Sequence, residues 1–142
     1  MRSHLRKALD EVRGSAAVEF AMVLPVFLLI LLGILSFGIY FGAAHSVAQL
    51  AADAARASVA GLSDAERATI ARQHVATSAS EYLLLKHEKI TVEAAPLEGD
   101  ATQFRVAVRF DASHFPIWGF SPFVPLPPPI IERTATVKRG GY

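Results

Sequence analysis

Among the 142 residues, one charged side chain stands where charge is costly: Glu19, at the edge of an apolar run from Phe20 to Ala44. A carboxylate at the rim of a membrane span costs free energy that Gln or Ser would not, so its natural chemistry is to meet a positive partner and neutralise in place. The other ionisable groups offer less. His45, His74, His87 and His114 have no metal-ligand spacing and read as surface or membrane-edge residues. Asp111 and His114, three apart in a loop, are weak grounds for general-base catalysis. An anchored hydrolase would need a pocket that gathers both with a Ser or Thr. The absence of cysteine removes disulfides, thiolate metal sites and Cys nucleophiles. No nucleophile elbow, Walker A loop, dinucleotide glycines or HExxH occurs. The expectation is a protein that is not an enzyme and uses no cofactor, metal or small-molecule substrate. A net charge of +1, with no basic block after the apolar run, sets nucleic acid aside.

The element that positions Glu19 is a membrane span. From Phe20 to Ala44 about 25 residues pass without a formal charge, more than the roughly 20 that a helix needs to cross a bilayer core. The mean hydropathy of +0.35 reflects this stretch. Before it, Arg2, Arg6, Lys7 and Arg13 outweigh Asp10 and Glu11, and after it only Asp53 and Arg56 precede Asp64, so the positive-inside rule puts the N-terminus in the cytoplasm. Met1–Gly14 is a basic leader whose Leu5, Ala8, Leu9 and Val12 fit a short amphipathic helix on the inner membrane surface. A helical pattern runs from about Ala16 to Gly61, on the order of 45 residues and about 65 Å, with Pro25 expected to bend or loosen it near Ala21 and Met22. Gly38, Gly42 and Ser46, preceded by Gly33, line small residues where another helix can approach closely, although glycine is also simply frequent in membrane helices. A cleavable secretory signal, cut after Gly42-Ala43-Ala44, is the competing interpretation, but its apolar core should be only about 7–15 residues long.

Beyond the membrane, Ala44, Ala48, Ala51, Ala55 and Ser58 repeat at threes and fours and form a close-packing face, while Asp53 and Arg56 pair on the wet side. Ser63 and Glu66 form a capping box that starts a second helix, expected to reach Lys86 or His87 with Ile70, Val75, Ala79, Tyr82 and Leu83 inward. After Lys89 the period becomes two. Ile90, Val92 and Ala94, then Phe104, Val106, Val108 and Phe110, then Ile131, Ala135 and Val137 define one buried face of three strands, broken at Arg133. Pro96–Asp100 reads as a turn or short loop. Residues 115–129, FPIWGFSPFVPLPPP, exclude a central strand or helix, and their apolar side chains at Phe115, Ile117, Trp118, Phe120 and Phe123 either fold over the sheet or form a sticky patch for a partner or the bilayer. The fold class is α+β: a long N-terminal transmembrane helix continuing outside the membrane, a second helix, then a small antiparallel sheet of about three strands. The chain divides into a leader (1–14), the extended helix (15–60) and an outer α+β domain (61–142).

The run G-S-A-A-V-E-F from Gly14 to Phe20 resembles the type IV prepilin signal, and most closely its tight-adherence (Flp/Tad) variant, where an aromatic follows the Glu. The order V-E-F-A-x-V-L-P, then G-I-x-x-F-G, then A-A-D-A-A-R-A is similar to TadE-like proteins, minor pseudopilins of tight-adherence pilus systems. The likeness covers Gly14 to about Val59 well and the remainder in general shape. It implies a pilin-like architecture, a cut by a prepilin peptidase between Gly14 and Ser15, and Glu19 as fifth residue of the mature chain, able to pair with the Ser15 ammonium of a neighbouring subunit. It further implies a bacterial inner-membrane location, possible incorporation in the pilus, a role in adhesion and biofilm formation, and a set of partners: the major Flp pilin, another minor pseudopilin, the peptidase and the inner-membrane assembly platform. The rival from another class is an uncleaved single-pass anchor that holds a binding or sensory domain outside the cell.

Overall fold

The structure is a computed structural model that describes the backbone of residues 2–138 and the side chains of residues 14–138. Two compact units, Met1–Ser36 and Phe37–Tyr142, divide within one long helix. That helix, α1 (Arg2–Ser58), has 57 residues, about 85 Å at 1.5 Å per residue. It begins earlier than the sequence pattern predicts, because nothing between Arg2 and Ala16 is a strong breaker; the leader is the first part of α1, not a separate short helix. The leader side chains Leu5, Ala8, Leu9 and Val12 lie outside the described residues. Pro25 sits inside α1 without ending it. One missing donor removes a single rung from a ladder supported on both sides.

The helix ends by tightening. Val59, Ala60 and Gly61 each donate a backbone hydrogen bond three residues back, to Arg56, Ala57 and Ser58. The buried Ser58 hydroxyl donates to the Ala55 carbonyl at 2.7 Å. Gly61 is needed for space: a Cβ there would stand 2.7 Å from the Arg67 backbone nitrogen, while Arg67 Nε donates to the Gly61 carbonyl at 2.9 Å.

A second helix, α2 (Asp64–Ser78), starts as expected, with Ser63 Oγ accepting from the Glu66 N–H at 3.2 Å. The Glu66 carboxylate reaches one residue further than in the simplest capping box and accepts from Leu62 N–H at 2.8 Å. The helix stops at Ser78 and not near Lys86. Thr77 and Ser80 turn their hydroxyls onto carbonyls of the last turn, and hydroxyl residues that bond the local backbone weaken a helix. A short 3₁₀ turn at Ala79–Glu81 follows, and Tyr82 is extended. The apolar line of α2 is correspondingly different: Ala68, Ala71, Val75 and Ala79 are buried, Ile70 and Tyr82 are half-buried, and Leu83 is 99% exposed.

Three antiparallel strands follow, β1 (Ile90–Leu97), β2 (Asp100–Asp111) and β3 (Ile130–Lys138), in the order β1-β2-β3. The β1–β2 connection is tighter than a loop from Pro96 to Asp100: Leu97 pairs with Asp100 around Glu98-Gly99, and Gly99 takes φ +84°, which a Cβ would resist. Pro96 is tolerated because β1 is an edge strand. Phe104, Val106, Val108 and Phe110 are fully buried, Ile131 nearly so, and Ile90, Val92, Ala94, Ala135 and Val137 pack against them. They form one core with Ala43, Ala44, Val47, Leu50, Ala51, Ala54 and Ala55 of α1. On the outer face, Arg109 donates to Glu132 at 2.7 Å and Glu93 at 2.8 Å, tying all three strands together at the surface.

Candidate functional site

The residues that the sequence singles out lie on the exposed surface of α1. A Cβ added at Gly14 meets nothing within 4 Å among the described residues. Ser15 Oγ donates to Glu19 Oε1 at 3.4 Å, because residues four apart stack on one helix face. Phe20, next in sequence, is 64% exposed. One turn of helix therefore brings the acidic side chain beside the residue just after the Gly14–Ser15 bond.

From Val18 to Leu35 every large apolar side chain apart from half-buried Leu24 is exposed. The most apolar 18-residue window reaches a mean hydropathy of 2.8 and is 6% buried. A helix from the core of a soluble protein would be covered; bare apolar surface on this scale needs a lipid or protein environment.

The small residues of α1 divide in use. Gly33 and Gly38 have open space where a Cβ would stand, whereas Leu84 Cδ1 lies 3.1 Å from that point at Gly42. Ser46 Oγ donates to the Gly42 carbonyl at 3.0 Å. Gly42 thus serves packing within the chain, and Gly33 and Gly38 stay uncovered. Tyr40, which sequence reading did not single out, anchors the proline-rich loop: its hydroxyl donates to the Pro128 carbonyl at 3.0 Å and its ring meets Trp118 edge to face at 6.3 Å. A tyrosine near the end of a membrane helix was the available signal. Trp118 Nε1 donates to the Ala112 carbonyl at 2.8 Å, Phe115 and Ile117 are buried and Phe120 is half-buried, so the first part of the loop folds onto its own domain. Phe123 remains 69% exposed.

Asp111 and His114 do not converge on a pocket. Asp111 accepts from the Ser113 hydroxyl and from Ser113 N–H at 2.9 Å, while the His114 ring lies 4.7 Å from that of Phe115. A cavity of about 210 Å³ lies elsewhere, lined by Arg72, Val75, Ala76, His87, Ile90 and Val92. The Ser113 hydroxyl and N–H, with smaller help from Lys89, pull the Asp111 carboxyl from 3.8 down to about 2. The Thr102 hydroxyl and N–H, then Gln103, lower Asp100. Both groups bind protons more weakly when folded, so the stability that they contribute is complete above the unfolded value and is lost as pH falls through the folded one. Acid unfolding followed by circular dichroism should show stability declining from roughly pH 4 towards pH 2. An Asp111→Asn chain should be less stable at neutral pH, and its deficit should vanish near pH 2.

These features define a membrane-anchored α+β protein with one apolar span and one small folded unit. Residues 14–56 match the family described as TadE-like protein. The match starts at Gly14 and includes Glu19, the apolar run and the alanine-rich turns. No curated protein and no solved structure gave a match.

Proposed function

We propose that the protein is a minor pseudopilin that inserts with its N-terminus in the cytoplasm, is cut between Gly14 and Ser15 by a prepilin peptidase, and takes part in assembling a tight-adherence type IVb pilus. The carrying observation is that the TadE-like match begins at Gly14, where Ser15 and Glu19 stand one turn apart. Cutting after Gly14 would create an ammonium at Ser15. Glu19 is then a buried charge with a partner in a neighbouring subunit, and pairing makes burial tolerable in an apolar setting. Gly33 and Gly38, open in the isolated chain, supply close approach to another helix. The work is helix association and not catalysis. The major Flp pilin, a second minor pseudopilin, the peptidase and the inner-membrane platform are the partners on this reading, and the folded unit lies on the extracytoplasmic side.

Sequencing the N-terminus of the membrane-bound form tests it. A start at Ser15 is the expected result. Met1 would leave an uncleaved anchor, and a start at His45 would mean a secretory signal.

A further inference from the structure

Two separate segments of the folded unit converge on one turn of α1 and leave a bare apolar side chain each. The proline-rich loop is held by Tyr40 through the Pro128 carbonyl and the Trp118 ring, and it exposes Phe123 by 69%. The segment after α2 is held where Leu84 meets Gly42, and it exposes Leu83 by 99% while Leu85 is buried. Phe41, between Tyr40 and Gly42, is itself 62% exposed. The loop tip is shaped by its own bonds, Phe123 N–H and Val124 N–H both donating to the Phe120 carbonyl.

The solvent-side stripe of α1 changes character at this same turn. Ile34 and Phe41 are exposed and apolar; His45, Gln49 and Arg56, at the next helical spacings on that face, are exposed and polar. Gln49 Nε2 and His45 Nε2 lie 2.9 Å apart. A helix leaving a bilayer changes its surface in this way, and aromatic side chains favour the level at which it does so. Because Phe41 lies within the uncharged apolar run that ends at Ala44, lipid is the environment that fits these side chains.

We propose that Phe41, Leu83 and Phe123 form an apolar collar that enters the interfacial layer of the leaflet from which α1 emerges and seats the folded unit on the membrane surface. The collar rests on the membrane-span reading but not on the cut at Gly14. It gives the chain a second contact with lipid, one that must be withdrawn before a subunit can leave the membrane.

The chain has no cysteine, so single labelling sites can be introduced one at a time. Leu83→Cys and Phe123→Cys, spin-labelled in the full chain and reconstituted at high lipid excess in phosphatidylcholine vesicles, would be probed by collision with oxygen and with a water-soluble nickel chelate. Leu29→Cys marks the span and Glu98→Cys the aqueous β1–β2 turn. Emission from the single tryptophan, Trp118, checks that the loop is in place in each labelled chain. The expected result is an oxygen-to-nickel collision ratio several-fold higher at Leu83 and Phe123 than at Glu98, at shallower depth than at Leu29. An aqueous reading at either Leu83 or Phe123, with Leu29 in lipid, overturns the collar and spares the span. An aqueous reading at Leu29 overturns both. Spectra broadened by a nearby label and shielded from both reagents would assign the patch to a second copy and likewise overturn the proposal.

Discussion

A Gly14→Ala chain is expected to stay at full length in the membrane, with the cut form essentially absent and no pilus assembled. The helix is continuous across Gly14–Ser15, so a peptidase must open it locally to reach the bond. Glycine in a helix interior is about 1 kcal/mol less favourable than alanine, which makes Gly14 the easiest point to open; alanine removes about fivefold of that opening. The added Cβ also presents bulk where the enzyme would meet only backbone. Since that Cβ touches nothing among the described residues, the variant should fold and insert normally, and the loss is confined to processing. Gel mobility and N-terminal sequencing in cells that make the pilus give the answer. Recovery of a Ser15 start from Gly14→Ala at normal yield would remove glycine from the argument. A Glu19→Gln chain should be cut and inserted yet fail in assembly, because the new amine then has no opposite charge to meet.

Phe110→Ala should cost about 3–5 kcal/mol, as large a stability loss as a single core truncation gives. Phe110 is fully buried near the C-terminal end of β2, where its ring meets those of Phe115 at 5.9 Å and His114 at 5.9 Å. Removing it opens a void below the sheet and undercuts the start of the proline-rich loop. A unit of about a hundred residues has roughly 5–15 kcal/mol in all, so the variant should be marginal. Phe123→Ala, at an exposed ring, should change stability by no more than about 0.5 kcal/mol. Chemical denaturation in detergent, followed by tryptophan emission, separates the two. Equal effects from both would mean that the loop tip is as much core as the sheet face.

Much of this was legible because it follows from period and charge. Alternation identified Phe104, Val106, Val108 and Phe110 as one face, and β2 presents them as such. The alanine repeat of α1 marked Ala44, Ala48, Ala51, Ala55 and Ser58, and all but the half-buried Ala48 are buried. The length of α2 was less legible, since Leu83, Leu84 and Leu85 continue a helical apolar pattern while the hydroxyls of Thr77 and Ser80 work against it. Only packing decides that contest: Leu85 is worth more beneath the domain than in another helical turn, and Leu84 meets Gly42.

The apolar run could be recognised from local composition because membranes select on length and charge along one segment, without reference to distant residues. The use of Gly42 against its own Leu84, and the capture of the proline-rich loop by Tyr40, could not. Both join positions tens of residues apart, and such contacts depend on how strands and helices are brought together, about which a linear pattern carries almost no information.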